Sequence, residues 1–191
     1  MYNCKQCKKI TNNKIFCSRS CAMTFRNNND GLRFAALSNN HFDINNYTKS
    51  HIDGHLLGDG SLPNRKNNIS NTFRYTQTFS ENHSDWAIKV LGDFKLSNIM
   101  GTLTKYNNYD KRTDKTYYAV QFQTKIYREF SGFRERWFKN NIKIVPDDII
   151  LDKIFLTNWY LDDGCLINYK LKYRIQLSTD SFSTTDIDFL I

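Results

Sequence analysis

The sequence predicts an α+β fold made of one duplicated unit and a small cysteine-rich module ahead of it. Three observations predict this. Two apolar, helix-like segments, Ile52-Asp-Gly-His-Leu-Leu-Gly-Asp59-Gly60 and Leu156-Thr-Asn-Trp-Tyr-Leu-Asp-Asp163-Gly164, each run into an Asp-Gly corner. The residues after each corner are similar, as in an internal repeat. Four cysteines, Cys4, Cys7, Cys17 and Cys21, crowd the amino-terminal end.

Read in order, residues 1–30 form the cysteine module and 31–46 a polar linker, with Asn27 to Asp30, Gly31 and then Leu37 to Asn46 carrying no apolar periodicity. The first copy of the repeat spans 47–142. After its Asp59 corner come Ser61-Leu62, an Asn-rich turn, a strand-like run from Thr72 to Thr78, and Phe79-Ser80 opening a polar helix start. Asp85, Trp86, Val90, Leu91 and Phe94 then fall at helical spacing. Leu103 to Tyr109 and Thr116 to Thr124 read as a hairpin around Asp110 to Asp114, because Val120, Phe122 and Thr124 alternate with Gln121, Gln123 and Lys125. A second helix is expected over about 126–138, and Lys143-Ile-Val-Pro146 breaks the chain. The second copy spans 143–191, with Asp147-Asp148 as the expected helix cap, Cys165-Leu166 after the corner, the run Tyr173 to Ser178, and Phe182-Ser183. Such mixed helices and antiparallel hairpins define an α+β sheet domain.

The two corners also carry chemistry. Glycine ends a helix cheaply by taking the left-handed conformation, which places each Asp at a helix's last turn. A carboxylate there opposes the negative end of the helix dipole. The same cost at two matching places implies a cation to meet it, and a divalent ion is the obvious candidate.

These motifs resemble the LAGLIDADG homing endonucleases, in the branch with motifs of the form LLGDG and WYLDDG. The likeness runs from about Asn46 to the end and includes Lys143 to Pro146 and Leu177-Ser-Thr-Asp-Ser-Phe182. It implies two αββαββα units packed through their motif helices about a pseudo-twofold axis, with the sheets forming a saddle on double-stranded DNA. It also implies Mg²⁺ held by the last Asp of each motif, here Asp59 and Asp163 but not Asp53, Asp162 or Asp186. Gln77 matches a polar position the family uses near the metal-bound water, and Lys125 a place near the cleaved phosphates; ordinary solvent-facing strand residues are the alternative for both. In the second copy Thr179 or Asp180 corresponds to Gln77, and Lys125 has no counterpart. Gly54 and Gly58 suit close helix packing, but Asn158 and Asp162 stand opposite, so cross-helix hydrogen bonds or a looser interface are expected. His51, His55 and Asp59 lie one turn apart like a zinc ladder, although the flanking glycines favour an interface role.

The activity implied is site-specific cleavage of phosphodiester bonds in DNA, promoting spread of an intron or mobile element. An intron maturase binding intron RNA, or an inactive DNA-binding remnant, are the alternatives. A formal charge of +8 and a pI near 9.2 favour a polyanionic partner with salt-sensitive binding. Polar and basic residues alternate along Arg74 to Gln77, Tyr117 to Lys125 and Lys170 to Gln176, as in strands laid into a DNA groove. Richness in Asn, Lys, Ile and Tyr fits an AT-rich organelle, phage or mobile genome.

Cys4-Lys-Gln-Cys7 fits a zinc knuckle, and Cys17 and Cys21, four apart, share one face of an incipient helix. Four thiolates in so short a segment suit a structural tetrahedral Zn²⁺ site. Two disulfides compete with this reading, but no secretory signal or membrane span is evident, and a reducing compartment disfavours them. Cys165 acts as a small residue beside the second corner. Lys5, Lys8, Lys9, Lys14, Arg19 and Arg26 give the module a charge suited to DNA phosphates. Thr184 is expected to cap a last helix carrying Ile187, Leu190 and Ile191. The first copy continues from the equivalent point, Ser80, through a helix, a hairpin and another helix. The second copy therefore reads as truncated, and the chain as a pseudo-twofold monomer or one that needs a completing fragment.

Overall fold

The computed structural model describes residues 1–25, 40–64, 72–169 and 172–190. Residues 26–39, including Arg26, the end of the cysteine module and the linker, the Asn-rich turn over 65–71, residues 170–171 and Ile191 lie outside them. The chain divides into two compact units, Met1–Asn40 and His41–Ile191.

In the first unit, strands β1 (Tyr2–Asn3) and β2 (Ile10–Thr11) pair antiparallel. Residues 19–25 are helical, so Cys21 sits on a helix that Cys17 precedes.

The larger unit is built around helix α1 (Asn46–Leu57), capped by the Asn45 side chain accepting from the Thr48 N–H. Nine of its residues are buried, on every side, as expected of a central rather than a surface helix. Strands β3 (Thr76–Ser80), β4 (Gly101–Asp110) and β5 (Lys115–Thr124) form an antiparallel sheet in the order β3-β5-β4. Among the described residues, the first hairpin shows one bridge, Ser61 to Thr76. Strand β3 runs on to Ser80, so the helix expected there begins later: α2 spans Ser84–Leu96 after a short 3₁₀ turn. Helix α3 (Glu129–Trp137) is shorter than the pattern predicts, because Tyr127 instead bridges to Phe73. Tyr75, Phe94, Phe122 and Phe130 interlock beneath the sheet, Tyr75 and Phe94 with ring centroids 4.7 Å apart. Their burial, at about 25 cal/mol per Å² of apolar surface, is the main force holding the helices to the sheet.

A two-residue hairpin follows, β6 (Phe138–Lys139) and β7 (Ile142–Lys143). Asn140 and Asn141 turn it with φ of 52° and 65°, conformations that asparagine tolerates best after glycine. Helix α4 (Lys153–Asp163) is capped by Asp152, which accepts from the Ile154 and Phe155 N–H groups. The expected cap, Asp148, is engaged elsewhere, binding Arg136 and Lys49. Strands β8 (Gly164–Tyr169) and β9 (Lys172–Leu177) follow, then α5 (Thr184–Leu190). The cap of α5 is Ser183 rather than Thr184: Ser183 Oγ accepts from the Asp186 N–H while the Asp186 carboxylate accepts from the Ser183 N–H, a reciprocal box.

Strand register supports the duplication. Ser61 pairs with Thr76 two residues after Asp59, and Cys165 pairs with Gln176 two residues after Asp163. Leu62 and Tyr75 therefore correspond to Leu166 and Ile175. The first pair is 0% exposed, whereas the second is 53% and 65% exposed. The same sheet face is closed in one copy and open in the other.

Candidate metal centre and nucleic-acid face

Helices α1 and α4 pack at backbone distance. A Cβ placed on Gly54 lies 2.6 Å from the Phe155 carbonyl oxygen, and one on Gly58 lies 2.5 Å from Asp162 Cβ. The glycines at the two corners also act through close approach. No described glycine has a positive φ, so the left-handed conformation expected of the corners is corrected. A Cβ on Gly60 would meet Tyr75 Oη at 2.5 Å, and one on Gly164 would meet the Tyr160 carbonyl at 2.3 Å.

Cross-helix hydrogen bonds complete the interface despite the larger residues of α4. Asn158 Nδ2 lies 2.8 Å from His51 Nδ1 and donates to the His51 carbonyl at 3.3 Å. The Asp162 carboxylate, its side chain fully buried, accepts from His55 Nδ1 at 2.8 Å, Gln77 Nε2 at 2.7 Å and Trp86 Nε1 at 3.1 Å. Tyr75 Oη donates in turn to Gln77 Oε1 at 2.5 Å. His51 and His55 are thus interface residues, and burial holds His51 well below the usual imidazole range, hence neutral. Asp53 is also structural: it accepts two bonds of 3.0 Å from Arg136 and one of 2.6 Å from Trp137 Nε1.

Asp59 and Asp163 differ from these carboxylates. Among the described residues, neither side chain accepts a hydrogen bond. Asp59 is an exposed residue, yet desolvation of its carboxyl and the nearby Asp163 and Asp162 charges push it up to about 6. Burial and Asp162 raise Asp163 as well. Below an unperturbed carboxyl's titration the Asp59 contribution to stability is intact, and it is lost as pH rises through about 6. At neutral pH the pair opposes its own fold unless a cation joins it. Two neighbouring carboxylates that accept no hydrogen bond among the described residues could supply oxygen ligands to a divalent ion.

One cation of the chain already faces them. The β6–β7 hairpin turns Lys143 back toward the first corner, where Nζ donates to the Gly58 and Gly60 carbonyls at 3.0 and 3.1 Å. Burial lowers its ammonium to about 8 against the pull of Asp163, Asp59 and Asp162. Lys125, the lysine expected near the reacting phosphates, is exposed beyond the end of β5, and no described contact joins it to either aspartate. Gln77 is buried on the core side of β3 and bonded to Asp162, so it does not face the open sheet. Lys143, read from the sequence only as part of a chain break, thus lies near both aspartates, and Asn140-Asn141, a hairpin-turn signature, is the signal in the sequence that places it there.

The open sheet face is polar. Register sets Thr76, Gln123 and Thr102 in one row, Thr78, Gln121 and Thr104 in the next, then Ser80, Ala119 and Tyr106. Arg74 Nη1 donates to Gln123 Oε1 at 2.6 Å. On the β8–β9 hairpin the face continuous with Cys165 carries Gln176, Ile167 and Arg174.

In the amino-terminal unit the sulfurs of Cys4, Cys7, Cys17 and Cys21 lie within 4.8 Å of one another. Cys7–Cys17 is 3.5 Å and Cys17–Cys21 is 3.4 Å, close to the edge of about 3.8 Å that a Zn–S bond of about 2.3 Å gives a tetrahedron. All are free thiols, so the disulfide reading finds no support. The Cys7 N–H, aimed at Cys4, lowers that thiol to about 6. Cys4 is out of contact with solvent, which raises its thiol, but the amide donors of Cys7, Cys17 and Gln6 prevail. The crowding sulfurs of Cys21, Cys7 and Cys4 push Cys17 up to about 12, a conflict a bound cation removes. The cluster fits a zinc module.

This fold and these corners define a LAGLIDADG protein, and the LAGLIDADG DNA endonuclease family model matches residues 49–191. The chain belongs to that family. It is 31% identical over 150 residues to uncharacterized protein MJ1098 of Methanocaldococcus jannaschii, covering 78% of this chain and 55% of that protein. It is 28% identical over 163 residues to cytochrome b mRNA maturase bI2 of Saccharomyces cerevisiae, covering 81% of this chain and 37% of the maturase. The chain thus spans about half or less of the length of these relatives. Among solved structures, the homing endonuclease I-WcaI bound to its DNA recognition sequence superposes with a TM-score of 0.68 at 18% identity, over 83% of this chain and 70% of that one. That likeness establishes the shared fold. No described helix is long and apolar enough to cross a membrane.

Proposed function

We propose that the protein is a site-specific, divalent-metal-dependent endonuclease acting on double-stranded DNA. The observation that carries this is the pair Asp59 and Asp163, whose carboxylates accept no hydrogen bond among the described residues while that of neighbouring Asp162 takes three. Asp59 and Asp163 would hold Mg²⁺, which when bound neutralises phosphate charge and activates water for in-line attack. The polar rows of the sheet lie in the groove and Arg74 and Arg174 steady the backbone. Lys143 holds the first corner in shape and supplies positive charge beside the reacting phosphate. Gln77 acts through Asp162, as a positioning residue. A randomised duplex library incubated with Mg²⁺ should yield a defined set of cut ends, and none with Ca²⁺ or chelator. Absence of cutting with Mg²⁺ or Mn²⁺ would remove the nuclease reading.

The second reading, an intron maturase, is favoured by the identity to cytochrome b mRNA maturase bI2. It predicts tight binding of an intron RNA without divalent-dependent cleavage of DNA. A role in intron homing adds that the target is the uninterrupted form of the gene that carries this reading frame.

Zn²⁺ is the ion assigned to the four cysteines, in a structural role separate from cutting. Purified protein should carry about one zinc per chain, and Cys17→Ser with Cys21→Ser should lose it. Unchanged zinc content in that variant would place the metal elsewhere.

A further inference from the structure

The amino-terminal unit carries more charge than a structural knuckle needs. Within residues 1–25, Lys5, Lys8, Lys9, Lys14 and Arg19 are the ionised side chains apart from the cysteines, and there is no Asp or Glu. All five are exposed. Four thiolates around one Zn²⁺ carry a formal −2, which leaves an excess of about +3 over these 25 residues. One of the five stands where the backbone disfavours it. Lys8, immediately after the Cys4–Cys7 turn, has a φ of 62°, a left-handed conformation that glycine or asparagine adopts at lower cost. Its N–H closes the turn on the Cys4 carbonyl at 2.9 Å. Lysine at the one position where glycine is cheapest points to a use for the side chain.

We infer that this unit is a second DNA-binding element, which grips backbone phosphates independently of the sheet face and the paired aspartates. The inference rests on the reading that the chain binds DNA, but not on its cutting DNA. The chemistry is that of phosphate neutralisation: each lysine that displaces a condensed counterion adds to affinity and steepens its salt dependence, with no preference for sequence. Joined to the larger unit by the chain, it raises the effective concentration of DNA at the sheet, so modest contacts lengthen residence. The zinc sets the loop and the lysines make the contact.

The test uses the full chain, zinc-loaded, and a short duplex without a recognition site. Binding is measured over a range of KCl for the wild type and for Lys5→Gln, Lys8→Asn, Lys9→Gln combined, asparagine being chosen for its tolerance of the left-handed turn. The slope of log Kobs against log salt should become shallower by about 2 to 3, as loss of three phosphate contacts requires. Zinc content should stay at one per chain, and removing zinc from the wild type should reproduce the loss. Should the triple variant release zinc, Lys14→Gln with Arg19→Gln gives the same comparison with a slope change of about 2. Equal slopes with zinc retained would overturn the inference and leave the exposed Ile10 and Ile15 as a surface for a protein partner. A shallower slope in a protein that cuts no DNA upholds it while the nuclease reading fails.

Discussion

Asp59→Asn or Asp163→Asn should each abolish DNA cleavage, by roughly 10³-fold or more, which corresponds to about 4 kcal/mol of lost transition-state stabilisation. DNA affinity should stay close to that of the wild type. The separation follows from where binding energy arises: phosphates and bases are met by the sheet rows and the basic residues, whereas the aspartates meet only the ion. A second consequence is opposite in direction. Without metal at neutral pH, Asp59→Asn removes a carboxylate that burial and Asp163 disfavour. The metal-free variant should therefore be more stable, by on the order of 1 kcal/mol once solvent screening at this exposed residue is allowed for. Losing activity while gaining stability is the behaviour of a functional site. A variant that loses both points instead to a structural role.

Asp162→Ala should be the most destabilising single change in the larger unit. It strips a fully buried acceptor from His55, Gln77 and Trp86 together, and breaking a buried hydrogen-bonded charge costs about 3–5 kcal/mol. For a protein of this size that lowers Tm by roughly 10 °C. Asp162→Asn keeps an oxygen toward the donors and should retain most of the stability. Because Asp163 follows on the same helical turn, the alanine variant should also cut poorly even where it is folded and DNA-bound. Thermal melts of the three proteins decide the point: an alanine variant as stable as wild type would mean the network is incidental.

The elements set by local patterning were legible in the sequence. Alternation through Val120, Phe122 and Thr124 gave away the long hairpin, and the spacing of Val90 and Phe94 the helix beneath it, because burial on one face writes a period into the chain. The two Asp-Gly corners marked both motif helices. What was hidden depends on contacts between residues distant in sequence. Asp162 and Asp163 look alike as adjacent letters, and only the approach of Gly58, Gln77 and Trp86 sets one as a buried anchor and leaves the other open. Gln77 was expected beside the chemistry because it matches a polar position of the family, with a solvent-facing strand residue as the alternative; here the partner that draws it inward lies 85 residues away. Lys143 was read as part of a chain break, and its place beside the aspartates depends on two asparagines turning the chain back. Glycine at the corners was assigned a backbone conformation when its function is to leave room for Tyr75 and Tyr160.

On the proposed reading, Asp59 and Asp163, rather than Asp162, hold the divalent ion. Mn²⁺ titration of the protein bound to a duplex, followed by electron paramagnetic resonance, addresses it without requiring turnover. Wild type and Asp162→Asn should bind Mn²⁺ at neutral pH, with affinity falling below about pH 6 as Asp59 takes up its proton. Asp59→Asn and Asp163→Asn should each weaken binding at least about tenfold. Equal affinity in all four proteins, or a loss confined to Asp162→Asn, would contradict the account.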